Sequence, residues 1–142
     1  MGSGFLFSSL KILSLLTYRS IIKEARLTRS EKTLCIAYAV IAGVALVATQ
    51  VNNIAFFLQP ENGGMVGYIN ALYANPAVAS FTNDILLYAL AGSIFMAVEA
   101  RKLGIRYVWV YILLSFLIAV SVMFPLFLIA RQYEISRQSL PQ

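Results

Sequence analysis

Six acidic residues, one cysteine and no histidine are what this chain has for chemistry. Among the acids Asp84 stands apart: it shares an apolar stretch with Tyr88, while Asn52 and Asn53 lie toward the end of another. A carboxylate in such a stretch is costly to place in hydrocarbon, so Asp84 is a functional-site candidate, with Tyr88, Asn52 and Asn53 as groups that could partner it. Kept protonated in an apolar pocket, it could donate a proton to an alkene, as an isomerase of isoprenoid- or sterol-like molecules requires. A second set, Glu99 with Arg101, Lys102 and Arg106, has the spacing of a salt-bridged cluster at headgroup level.

Much other chemistry is excluded. Without histidine there is no His-based metal site, no His-ligated haem and no commonest general base. The single Cys35 rules out an intrachain disulfide and a CxxC motif, and in its apolar run it reads as a small buried hydrophobe. No Gly-rich phosphate loop follows a strand pattern, so nucleotide binding has no support. The expectation is no metal and no cofactor, and the net charge of +5 is placed for lipid headgroups rather than nucleic acid.

The elements that position these residues follow from hydropathy. Of the 142 residues 60% are hydrophobic and 12% charged, roughly half the charge of an ordinary soluble domain. Residues 33–57, 85–98 and 107–130 contain no charged side chain. The fold class expected is therefore an all-α, polytopic membrane protein with three transmembrane helices and an N-terminal interfacial amphipathic helix.

Residues 1–32 are a basic amphipathic segment in which Lys11, Arg19, Lys23, Arg26, Arg29 and Lys32 would attract anionic headgroups. The alternative is a fourth span over residues 5–22. The membrane domain is expected over 33–132 and a C-terminal tail over 133–142, frayed from Ser136 on. Its first span, 33–57, has Ser30 or Thr33 as cap and carries Tyr38, Ala42, Ala45, Thr49 and Asn52 on one small, mildly polar face. A breaker, Pro60-Glu61-Asn62-Gly63-Gly64, then leads to a short surface helix bearing Tyr68 and Tyr73.

The second span runs from Pro76, capped by Asn75, to Leu103, stopped by Gly104, and is roughly 40 Å long. Asp84, Tyr88, Ala91, Phe95 and Glu99 share one face of it. If the apolar layer begins near Ile85, Asp84 is a helix-dipole carboxylate; if it begins at Pro76, Asp84 lies two turns inside and needs a proton, water or donors. The third span, 107–130, starts with a collar of Tyr107, Trp109 and Tyr111 and is expected to kink at Pro125. Three spans with a cytoplasmic N-terminus leave only Arg131 and Arg137 outside, which decides the orientation in the cell membrane.

The pattern Ala74-Asn75-Pro76, Ser80-Phe81, Asp84, then Glu99, Arg101, Leu103, Gly104, Arg106 and Trp109, ending in Pro125-Leu126-Phe127-Leu128 and Arg131, resembles a family of small bacterial membrane proteins. That family is domain of unknown function 2834, and the resemblance covers about residues 33–132; it implies no chemistry. The role expected from the residues is a non-catalytic interaction or accessory component, packed beside a membrane protein partner or forming a homo-oligomer. Two alternatives stay open: a lipophile-binding protein or isomerase using Asp84, and a small oligomeric transporter or channel.

Overall fold

The computed structural model describes residues 27–139, so the expected amphipathic helix or fourth span within residues 1–26 lies outside the described residues. Five helices follow in order: α1 (Arg29–Phe57), α2 (Gly64–Ala71), α3 (Pro76–Leu103), α4 (Val108–Leu117) and α5 (Val120–Gln138). Among the described residues there is no strand. Two helices, α1 and α3, are long and apolar enough to cross a membrane.

Local chemistry sets most of the ends. Thr28, rather than Ser30 or Thr33, caps α1: Glu31 N–H donates to its Oγ1 at 3.3 Å while Thr28 N–H donates to Glu31 Oε2 at 2.7 Å, a reciprocal capping box. Asn75 caps α3 as its sequence implies, accepting from the N–H groups of Ala77 and Val78 at 3.0 Å each, and Gly104 ends the helix at φ 70°. Between α1 and α2 the side chain of Asn62 binds both neighbours. Its Nδ2 donates to the carbonyls of Phe57 and Gln59, and its Oδ1 accepts from Gly64 N–H at 2.7 Å. Gly63 and Gly64 take positive φ there, and at Gly67 a Cβ would collide with the Asn62 carbonyl.

The expected third span is the main departure. The run 107–130 breaks at Ile118 and Ala119, where Ala119 is extended at φ −176°, and the chain turns back on itself. Going up α4, Val108 and Ile112 pack against the cluster of Met96, Ala100 and Phe127, and Leu114 against that of Ala42, Val122 and Met123. Coming down α5, Phe124 meets Tyr88, Phe127 meets Met96, and Arg131 meets Glu99. So α5 runs parallel to α3 and antiparallel to α1 and α4. The helix passes through Pro125 without ending, and the break lies upstream of it. Beyond Arg131, where the sequence suggests a fraying end, α5 continues to Gln138, whose Nε2 donates to the carbonyl of Leu103 at 2.9 Å, and Ser136 is buried.

This hairpin makes α5 the hub, packed against α1, α3 and α4. Phe127 and Met96 are wholly buried at its centre, with Ala100 beside them. The Phe127 ring meets Tyr111 edge-on at 5.7 Å and Phe95 at 6.4 Å between centroids, contacts worth about 0.5–1.5 kcal/mol each beyond burial. Tyr111 thus turns inward, whereas Tyr107 and Trp109 stay exposed, so the aromatic collar divides. Ala89 and Ser93, small residues of α3, are buried inside the chain, where they let neighbouring helices approach.

Candidate functional site

The residues singled out around Asp84 do not converge. Asp84 is exposed and forms no hydrogen bond or ion pair among the described residues. Tyr88, on the same face, stands edge-on to Phe124 at 5.9 Å. Asn52 turns outward and donates to the carbonyl of Ala48 in its own helix at 2.7 Å. Asn53 turns inward, where its Oδ1 accepts from the hydroxyl of Tyr68 at 2.9 Å. One residue of turn, 100° on a helix, separates the two amides and sends them to different surroundings.

Asn53 borders a cavity of ≈ 300 Å³ between the C-terminal half of α1 and the N-terminal half of α3. The turn at Ile118 and Ala119 is its floor, and α2 lies across it as a roof. That roof is pinned on both sides: Tyr68 to Asn53 on α1, and on α3 the Thr82 hydroxyl donating to the Leu72 carbonyl at 2.8 Å, with Tyr73 donating to Asn83 at 3.2 Å. Of the five hydroxyls that line the cavity all but that of Ser121 are committed. Thr49 donates to the Ala45 carbonyl and Ser115 to that of Tyr111, each at 2.8 Å, alongside Tyr68 and Thr82. Neither Asp84 nor any other charged residue lines it.

The charged cluster is the second site, and it is larger than its sequence suggests. Glu99 Oε2 accepts from Arg131 Nε at 2.6 Å and Oε1 from Lys102 Nζ at 3.3 Å, with the Glu99 side chain 14% exposed. Arg101 and Arg106 do not join that ion pair. Next to it, Gln132 Nε2 donates to Glu31 Oε1 at 2.9 Å, tying the start of α1 to α5. Three spans would put Arg131 on the side opposite Glu99; the bond between them puts both at the same end of the bundle. All the described basic residues, Arg29, Lys32, Arg101, Lys102, Arg106, Arg131 and Arg137, lie toward the end where α1 begins and α3 stops. The missed signal is that Arg131 and Gln132 are one helical turn past the PLFL run, in register to follow α5 back to Glu99.

No group of three or more Cys, Asp or Glu able to hold a metal ion forms among the described residues. The family model that matches, over residues 37–133, carries the description "Protein of unknown function DUF2834". No curated protein and no solved structure matches the chain.

Proposed function

This chain belongs to the DUF2834 family, and on that premise we propose that it is a small, non-catalytic integral membrane protein that serves as an interaction or accessory component. In this reading α1 and α3 cross the bilayer, and α4 with the first half of α5 forms a re-entrant hairpin inserted from the basic side. Ten residues of α4 rise ~15 Å, about half of the ~30 Å hydrocarbon layer. The non-helical backbone of the hairpin, at Ile118 and Ala119, lines the cavity between α1 and α3, the kind of place where such backbone is tolerated at that depth. Basic residues gathered at one end support a cytoplasmic placement of that end in the cell membrane, with anionic headgroups as its lipid partners.

One observation carries the interaction role. The face of α1 bearing Ala39 and Gly43 is uncovered, and a Cβ at Gly43 would have nothing within 4 Å. Small residues let helix backbones approach closely where lipid supplies no hydrophobic drive. A second copy or a partner's membrane helix fits there. The test is cross-linking through Ala39→Cys, in a Cys35→Ala background, in native membranes. A defined adduct, lost several-fold on Gly43→Leu, is expected. A lone monomer in nanodiscs, with no adduct and no response to Gly43→Leu, would overturn the role.

A further inference from the structure

The cavity beneath α2 lies outside the helix-contact face and owes nothing to it, so the two readings stand or fall separately. Its hydrogen-bonding state determines what it can hold. Since four of the five hydroxyls at its walls already give their protons to protein oxygens, the donors left are the Ser121 hydroxyl, the Asn53 amide and the N–H groups of Val120 and Ser121 at the start of α5. Those two N–H groups have no partner within their helix, those of Val122 and Met123 reach back to the Ala119 carbonyl, and Ala119 supplies no side-chain cap. The apolar walls, Leu72, Ile85, Leu86 and Phe116, are themselves partly exposed, so the cavity opens sideways.

Charge then narrows the class. No ionised side chain faces the cavity, and the carboxyl end of α4 meets the amino end of α5 at its floor, so their opposed partial charges of ~0.5 each offset. An ion entering would lose its water and gain no counter-charge. The geometry points to a binding site for an uncharged, mainly apolar molecule that presents a carbonyl oxygen to Asn53 and to the start of α5. At ≈ 300 Å³ the cavity takes the head of such a molecule, and its tail leaves through the side opening into lipid.

The test uses the full chain in neutral phospholipid nanodiscs and a diazirine-bearing long-chain methyl ketone, with the matching alkane, carboxylate and quaternary ammonium probes. The ketone is expected to label peptides around Leu72, Leu86 and Ile118. Asn53→Leu should lower that labelling about tenfold and leave alkane labelling unchanged. Leu86→Trp, at a half-exposed position that the fold does not need filled, should lower both. Tyr68→Phe removes the hydroxyl that occupies Asn53 and should leave ketone labelling intact, which separates direct contact from damage to the roof. Ketone spread along α1 as evenly as alkane, carboxylate or ammonium labelling the cavity as strongly as ketone, or labelling indifferent to both Asn53→Leu and Leu86→Trp would each overturn the assignment.

Discussion

The two ends of the bundle are built on opposite principles. At the basic end α5 fills the space between α1, α3 and α4, Phe127 and Met96 are sealed, and Glu99 is held by Arg131 and Lys102. At the other end α5 contributes only its first residues, α1 and α3 are joined through the small roof of α2, and a cavity remains. The contrast teaches that a half-length hairpin gives one protein both a packed anchor and an open chamber. Packing at the first end rests on interdigitated side chains, and at the second on a few hydrogen bonds.

Unequal sensitivity to truncation is the largest effect expected. Phe127→Ala should cost about 3 kcal/mol of folding stability through the void it leaves, whereas Phe81→Ala on the exposed face of α3 should change stability by less than about 0.5 kcal/mol. Unfolding curves in mixed micelles compare them, and equal losses would dissolve the contrast. Next comes the hairpin itself. Cysteines at Arg106 and Gln138, introduced separately into Cys35→Ala, should react with an impermeant maleimide from the same side of sealed vesicles, and one at Glu61 from the other. Labelling of Gln138 from the Glu61 side would restore a third span.

A smaller effect is expected at the ion pair. Arg131→Leu leaves a mostly covered Glu99 with Lys102 alone and should destabilise the fold, and adding Glu99→Gln should return much of the loss. Additive losses would show that the two side chains act independently. Smallest in global terms is Gly67→Ala, where the Asn62 carbonyl blocks the new methyl. Hydrogen exchange should quicken in α2 and leave the amides around Phe127 unchanged. Quickening at both would mean that roof and anchor are one cooperative unit.

Much of this was legible before any coordinates. Asn75-Pro76 and Gly104 mark both ends of α3 because caps act within one turn, and the uncharged runs mark α1 and α3 because length and hydropathy are local properties. The surface helix after Pro60-Glu61-Asn62-Gly63-Gly64 is legible for the same reason. The break at Ile118 was not, since neither Gly nor Pro stands there. The nearest local cues are Ser115, whose hydroxyl returns to the carbonyl of Tyr111, and Pro125 about two turns downstream.

Sequence alone determined α1, α2 and α3, both caps of α3 and the shortage of catalytic groups, because each depends on composition or on neighbours a few residues away. Tertiary structure alone decided that residues 107–130 fold back, that Arg131 reaches Glu99 across 32 positions of chain, and that Asn53 faces a cavity from which Asp84 is turned away. Apolar residues in a membrane-like chain look alike whether they face lipid or another helix. Only the packing of Phe127, Met96 and Ala100 distinguishes a hairpin from a span.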